Sequence, residues 1–288
     1  MGISFWTIQF LNGLSLSALL FMISIGFSLV CGLMKLVNLS HTALYIAGAY
    51  MSFTIINRTG SFLLAIIVVA AVTGLIGFLL EKFLLYRFHG KPLNLVLMTT
   101  GIMMVFEDII LAVFDGLPVR IRPPGMFNYP VDFLGVRYPS YRLLVIGLGI
   151  VFAITLWIIL EKTKIGAKIR AGADNEEIAK SLGINIKKIF LITFSCATLL
   201  AGVGGVIGLP KAAMQSGVAM ELQMLALVVC MVGGLGSVKG VVFGSLFVGI
   251  VDTFGRALFP SISYFTLFMP MAIILVLRPQ GLFGRALE

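Results

Sequence analysis

Residues 1–34 read MGISFWTIQFLNGLSLSALLFMISIGFSLVCGLM and contain no Lys, Arg, Asp or Glu. A helix needs about 20 apolar residues to cross the roughly 30 Å hydrocarbon layer of a bilayer, so this run is long enough to span it. A cleavable signal peptide instead begins with basic residues ahead of a short apolar centre, whereas the first Lys here is Lys35. The opening run therefore predicts a first transmembrane helix.

The rest of the chain repeats this pattern. Hydrophobic residues make up 59% of the 288, charged residues make up 11%, and the mean hydropathy is +1.09. A water-soluble protein of this composition could not cover its surface with polar groups. Because the apolar runs are continuous rather than alternating over about ten residues, they favour helices over a membrane β-barrel. Further runs without charged side chains cover residues 36–57, 61–80, 143–160, 189–210 and 257–277.

We therefore predict an all-α fold, a polytopic integral membrane helix bundle of about eight or nine transmembrane or partly re-entrant helices. Residues 1–288 form a single transmembrane domain in this prediction. The spans near 41–56 and 218–234 are the candidates for broken or re-entrant segments. The predicted spans lie near residues 8–31, 41–56, 62–80, 93–114, 143–160, 189–209, 218–234, 240–256 and 262–277.

The formal charge of +9 comes from 21 Lys and Arg against 12 Asp and Glu. Such an excess is typical of cytoplasmic loops in membrane proteins, so it does not indicate nucleic-acid binding. The densest basic cluster lies in residues 162–188, named here the basic loop, and we predict that this loop and the tail RPQGLFGRALE are cytoplasmic. A count of nine spans then places the N-terminus outside, whereas an even count places it inside. Four arginines also fall outside, in a Pro-rich segment predicted to form an ordered cap: Arg120, Arg122, Arg137 and Arg142.

Several kinds of chemistry find no support in the sequence. Cys31, Cys196 and Cys230 lie in apolar segments without CxxC spacing, and the chain has 2 His, so neither a disulfide framework nor a metal site is indicated. No GxxxxGK[ST] motif is present to cradle the phosphates of ATP. Hydrolysis within lipid needs paired Asp, a His-rich metal set or a Ser with its base, and this pattern is missing. We expect the chain not to be an enzyme.

The basic loop contains helix start and stop signals. Asp174 is a suitable N-cap, and Glu177 stands three residues later at the spacing of a capping box. Glu176 adds negative charge at the positive end of the helix dipole. Gly183 supplies the left-handed conformation that commonly ends a helix. These signals predict a short, well-capped helix inside the loop.

The predicted helix runs from about Asn175 to Leu182. Ile178 and Leu182, four residues apart, share one face, with Ala179 nearby. An isolated helix of two turns is marginal in water, so thorough capping suggests a shape that is held ready for a partner. A surface loop without any partner is the alternative interpretation.

Four stretches of the chain resemble one protein family, in the family's order. They are GLMKLVNLSHTALYIAGAY (32–50), GADNEEIAKSLGIN (172–185), MVGGLGSVKGVVFGSLFVGIVD (231–252) and RPQGLFGR (278–285). Together they resemble the LivH-type permease family of branched-chain amino acid ABC transporters, along almost the whole chain. One departure is that a Gly usually follows the family's His, whereas Thr42 follows His41 here.

The resemblance implies that the basic loop is a coupling loop, whose helix sits in a groove of a separate ATP-hydrolysing subunit. It implies an importer of branched-chain or related hydrophobic amino acids in a bacterial or archaeal inner membrane. The alternatives are the same machine carrying urea, short amides or sugars, and, from another class, a stand-alone ion-coupled secondary transporter. The coupling residues would be Asp174, Asn175, Glu176, Glu177, Ile178, Ala179, Leu182 and Gly183.

The resemblance also implies partners. They are two ATP-binding subunits, a second permease that is homologous or identical, and an extracytoplasmic solute-binding protein, all working at the lipid bilayer. We expect no cofactor on this chain itself, with ATP and Mg bound by the partner subunits.

Two groups of residues are candidates for the translocation pathway. The polar island Asn38, Ser40, His41 and Thr42 lies where a helix break could expose backbone groups to a cavity. Its alternative role is to cap the second helix. The second group is a glycine-rich loop ahead of Gly240 and Gly244, for which close helix packing and a moving hinge are the two interpretations. Its residues are Gly233, Gly234, Gly236 and Ser237.

Carboxylates inside apolar spans are costly unless they face the bundle interior or water. Glu107 and Asp108 fall in the fourth span and would be the first candidates in an ion-coupled carrier. For this chain we predict structural pairing or a position near the external interface, where Arg256 is the candidate partner of Asp252 one helical turn away.

Overall fold

A computed structural model describes residues 2–34 and 38–284. Lys35, predicted in a turn on the inner side, and residues 285–288 of the predicted cytoplasmic tail lie outside the described residues. The helices are α1 (Ile3–Met34), α2 (Ser40–Thr59), α3 (Phe62–Leu79), α4 (Pro92–Phe114), α5 (Ser140–Lys162), α6 (Lys164–Asp174), α7 (Glu176–Ser181), α8 (Ile186–Gly208), α9 (Val218–Gly233), α10 (Val238–Leu258) and α11 (Ser263–Leu277).

The predicted all-α membrane bundle is confirmed. Within the described residues, six helical spans are long and apolar enough to cross a membrane. They are α1, α3 with its π and 3-10 extension to Phe88, α4, α5, α8 and α10.

The remaining predicted spans correspond to α2, α9 and α11. Helix α9 has 16 residues and α11 has 15, so each is about 24 Å long or shorter, less than the hydrocarbon thickness. The spans predicted as broken or re-entrant, 41–56 and 218–234, correspond to α2 and α9, whereas 262–277, which corresponds to α11, is predicted as a full crossing. Helix α11 also contains Pro270, which removes a backbone hydrogen bond from the helix interior.

One β-hairpin interrupts the helices, in the Pro-rich segment predicted as a cap. Strands β1 (Pro130–Phe133) and β2 (Val136–Pro139) are antiparallel. The turn residues Leu134 and Gly135 have φ of 51° and 75°, the conformation that matches strand twist in a two-residue hairpin loop. The sequence predicts no strand here, because prolines and glycines obscure the alternation of the few strand residues.

Small residues bring the central helices together. Gly13 of α1 lies against the backbone of Ile250 in α10, and Gly249 lies against Ser17, so these two helices pack at close range. Helix α8 packs on α2 in the same way, with Gly205 directly on the backbone of Tyr45. Helix α1 is thereby surrounded by the bundle, while α3, α4 and α5 turn most of their surface outward.

The bundle has two ends, named here by their landmarks. The hairpin end carries β1 and β2, which are held to α1 because Asn12 Oδ1 accepts a hydrogen bond from the Tyr138 hydroxyl at 3.0 Å and another from Arg142. The basic end carries α6 and α7. There Thr163 caps α6 by accepting from the Gly166 N–H at 3.2 Å.

Candidate functional site

Helix α7 begins one residue later than predicted. Asn175, not Asp174, is its N-cap: the Asn175 backbone is extended (φ −151°, ψ 111°), and its Oδ1 accepts from the N–H groups of Glu177 and Ile178, both at 3.0 Å. Asp174 is instead the last residue of α6. The capping box with Glu177 is therefore wrong, although Glu176 and Glu177 do occupy the first turn, where the helix dipole favours them.

The end of α7 agrees with the sequence prediction. Gly183 has φ of 77°, the left-handed conformation expected of a helix stop. Its N–H donates to the Lys180 carbonyl at 2.9 Å, and the Ile184 N–H donates to the Ala179 carbonyl at 3.0 Å. Both ends of this short helix are thus capped, which fixes its shape without help from a partner.

The side chains of α7 divide between the core and the surface. Ala179 is 1% exposed and belongs to the core cluster shared with α1, α8 and α9. Ile178 and Leu182 are 59% and 74% exposed, so the apolar pair points away from the chain. We predicted Ala179 on the same side as this pair, but it turns inward and anchors the helix. The fold consequently leaves two large aliphatic side chains uncovered at the basic end.

A cleft of about 500 Å³ lies beside α7. Glu176 and Lys180 form one wall and are joined by an ion pair of 2.7 Å, which raises the pKa of Lys180. The opposite wall holds Tyr86 and His89, with His89 Nε2 3.0 Å from the buried carboxylate of Glu81. The cleft thus joins α7 to the turn between α3 and α4.

The polar island at the start of α2 is buried inside the bundle. Asn38 Oδ1 accepts from the Ser40 N–H at 3.1 Å and from the Ser40 hydroxyl at 2.7 Å, so it satisfies the first backbone N–H of α2, although the N-cap position itself is Leu39. The pathway role and the capping role of the island both stay predictions. His41 packs on Gly26 of α1, eight residues before the end of that helix. Helix α2 therefore starts beside α1 and not beyond its end, in agreement with the predicted broken segment.

Thr42 and His41 connect this island to its neighbours. The Thr42 hydroxyl donates to Gln223 Oε1 of α9 at 3.0 Å, and His41 Nε2 lies 3.1 Å from the Ile23 carbonyl. Gln223 was missed by the sequence analysis, although a lone amide within an apolar helix could have indicated it. Asn38 Nδ2, His41 Nδ1 and Gln223 Nε2 have no hydrogen-bond partner among the described residues. Unpaired buried polar atoms of this kind call for a functional or solvent partner.

The glycine-rich loop between α9 and α10 packs on the last turns of α1 at the basic end, where the Gly236 N–H donates to Ser28 Oγ at 3.0 Å and Gly236 lies against Gly32. Gly233 and Gly240 touch through their backbones, and Ser237 caps α10 by accepting from the Gly240 N–H at 3.1 Å. Gly234 and Gly236 have φ of 99° and 76°. This geometry supports the packing interpretation; the pathway and hinge roles of the four residues stay predictions.

The tail completes this loop. The N–H groups of Leu282 and Phe283 donate to the carbonyls of Val232 and Gly233 at 2.8 and 3.0 Å, which caps the end of α9. Gly234 lies against the backbone of Gly284. Two stretches that are distant in sequence, 231–252 and 278–284, therefore form one unit, a contact that no spacing rule indicated.

The carboxylates of the spans differ in their surroundings. Asp252 pairs with Arg256 at 2.9 Å, which confirms that prediction, and Arg256 also lies 3.4 Å from Glu221. Neither Glu107 nor Asp108 forms an ion pair with any described residue. In the part of the chain that the structure describes, no three His, Cys, Asp or Glu side chains cluster as metal ligands.

Known proteins similar to this chain are permease proteins. The family described as "Branched-chain amino acid transport system / permease component" matches residues 9–277. The high-affinity branched-chain amino acid transport system permease protein BraD of Pseudomonas aeruginosa is 25% identical over 295 residues, covering 96% of this chain and 95% of BraD. The corresponding LivH protein of Escherichia coli K12 has the same identity and coverage.

A further relative is the ribose import permease protein RbsC of Escherichia coli K12. It is 33% identical over 150 residues, which cover 50% of this chain and 44% of RbsC. No solved structure matches the chain.

Proposed function

Because the chain belongs to the family of permease components of branched-chain amino acid transport systems, we propose that it is the membrane permease subunit of an ATP-driven importer. The cargo in this proposal is a branched-chain or related hydrophobic amino acid. The observation that carries it is α7, a helix capped at both ends that presents Ile178 and Leu182 to solvent. Exposed aliphatic side chains on a rigid short helix suit an apolar groove in a partner protein.

In this proposal, α7 couples the chain to ATP hydrolysis. Two partner subunits bind ATP and Mg, while this chain binds no cofactor itself. Ala179 and Ile169 lie in one core cluster with Leu33 of α1 and Ile186 of α8, so a displacement of α7 acts on two central helices. Through this connection, closure of the two ATPase subunits would shift the equilibrium of the bundle between an inward-open and an outward-open form.

The proposed orientation places the basic end in the cytoplasm of a bacterial or archaeal cell. It rests on the Lys and Arg residues of the basic loop, which follow the preference of such residues for the inner side of a membrane. The hairpin end then faces an extracytoplasmic solute-binding protein. A second permease, identical or homologous, completes the pathway, which we propose passes near Asn38, Ser40, His41 and Thr42.

The alternatives receive less support. A sugar-importing machine agrees with the ribose permease relative, but that similarity spans 50% of the chain, whereas BraD and LivH cover 96%. No relative described above supports urea or short amides as cargo. A stand-alone ion-coupled carrier would be expected to transport its cargo in vesicles whose only protein is this chain, with no requirement for ATP.

The coupling proposal is tested by removing the exposed apolar pair. We expect Ile178→Ser combined with Leu182→Ser to leave the protein inserted but to abolish recovery of the ATPase subunits on purification. A buried aliphatic side chain contributes about 1.5–3 kcal/mol, so losing two weakens subunit binding by at least roughly 100-fold. Leu117→Ser is the matched control, since Leu117 is 64% exposed near the hairpin end. Full recovery of ATPase subunits with the double variant would contradict the proposal.

A further inference from the structure

Helix α4 carries a carboxylate on its outward face. Asp108 is exposed and forms no hydrogen bond or ion pair with any other described residue. It lies six residues before the end of α4 at Phe114, about 9 Å along the helix axis, which places it within the hydrocarbon layer of a crossing helix. The adjacent Glu107 differs, because its carboxylate turns inward and lies beside the backbone N–H of Gly217.

Asp108 lies in a stripe of exposed residues at helical spacing. We call this stripe the α4 face, and it consists of Leu97, Gly101, Met104, Asp108 and Ala112. Gly101 has open space around the position that a Cβ would occupy, so no contact within the chain requires a glycine there. Small residues in a membrane helix allow another helix to approach closely.

The other outward-facing helices provide the comparison. The exposed charged residues of the α3 and α5 spans, such as Lys82 and Lys162, lie toward the basic end. Over residues 62–80 and 143–160, the outward surfaces carry aliphatic side chains such as Ile67, Leu75, Ile150 and Ile154, without a charged residue among them. Those surfaces suit lipid. An ionised aspartate in hydrocarbon is unfavourable and normally faces protein or water, so the α4 face does not suit lipid.

We propose that the α4 face is the surface covered by the second permease subunit, which brings polar groups or water against Asp108. This inference rests on the proposed function, because the second permease subunit is part of that proposal. A soluble protein cannot reach this depth of the bilayer, so the occupant must itself span the membrane. Gly101 and Ala112 would then allow a helix of the second permease to approach α4 closely. Leu97 and Met104, on either side of Gly101, would make apolar contacts with that helix.

The first test locates the neighbour of α4 directly. A photo-reactive phenylalanine derivative is introduced at Met104 and, as a matched control, at Ile154 of α5, which is similarly exposed (59% and 53%). Irradiation of the assembled transporter in membranes should link position 104 to the second permease subunit, and position 154 to lipid alone. A link from 154 but not from 104 to that subunit would overturn the inference, as would links to lipid alone from both positions.

The second test uses two exposed glycines. Gly101→Leu should prevent pairing of the permease subunits, whereas Gly147→Leu on α5 should not, since Gly147 also has open space around it. Asp108→Asn should retain more paired subunit than Asp108→Leu, because the amide still hydrogen-bonds. If Asp108→Leu increases pairing or stability, Asp108 faces lipid and the inference is wrong.

Recovery of the ATPase subunits separates this inference from the proposed function. If the ATPase subunits bind through α7 while no α4 variant affects subunit pairing, the α4 face is not the interface and the proposed function still stands. If the ATPase subunits do not bind the unmodified chain at all, the proposed function itself fails.

Discussion

The start of α7 shows how single residues define the coupling surface. Asp174 and Asn175 are both good N-caps, and Glu177 follows Asp174 at capping-box spacing, so local rules favoured the wrong residue of the two. The structure selects Asn175 because α6 continues through Asp174. Gly172, in the last turn of α6, lies close to Leu33 of α1 and Ile186 of α8, and contacts of this kind are contained in no local rule.

This assignment makes Asn175 the residue whose loss should matter most for the shape of α7. Asn175→Ala removes the acceptor for two backbone N–H groups, which should cost about 1 kcal/mol of helix stability. Faster amide hydrogen exchange at Glu177 and Ile178 should follow. Asn175→Asp retains the acceptor and is the control; equal exchange rates in the two variants would show that the cap does not hold the helix.

At the scale of elements, apolar length predicted where helices lie but not how they pair. Nine of the helices match predicted spans, because runs without charge are a strong signal in membrane chains. The Thr42–Gln223 hydrogen bond and the capping of α9 by the tail join segments far apart in sequence, and no residue spacing indicates such contacts. The short β-hairpin was missed for a related reason, since Pro and Gly conceal its few alternating residues.

The junction of α9 with the tail predicts a large effect at Gly234. Gly234→Ala should destabilise the protein by more than Gly60→Ala, because both positions have positive φ but a Cβ at Gly234 also meets the Gly284 backbone, whereas Gly60 has open space. The left-handed conformation of Gly60 (φ 69°, ψ −2°) alone costs an alanine about 1–2 kcal/mol, and Gly234 (φ 99°, ψ 128°) lies outside the regions that are allowed to residues with a Cβ. Thermal unfolding in detergent measures the difference; a similar shift for both variants would mean that the tail is not closely packed.

At the scale of the whole molecule, the bundle has one strongly basic end and one hairpin end. The proposed orientation predicts which end of the bundle is accessible to a reagent on each side of the membrane. In right-side-out vesicles, a membrane-impermeant thiol reagent should label Met126→Cys at the hairpin end, since Met126 is 78% exposed. It should label Leu182→Cys only after permeabilisation. Both variants carry Cys196→Ser to remove the exposed native thiol. Labelling of position 182 in intact vesicles would place α7 outside and remove the basis for coupling.

The capping of α9 by Leu282 and Phe283 has a consequence for biosynthesis. The N–H groups that bind the carbonyls of Val232 and Gly233 belong to Leu282 and Phe283, which are synthesised only after α10 and α11. Until then the end of α9 must rely on water or on other proteins for its hydrogen bonds. Formation of this contact between α9 and the tail is therefore a late event, and a bulky fusion partner joined directly after Gly284 would be expected to slow it.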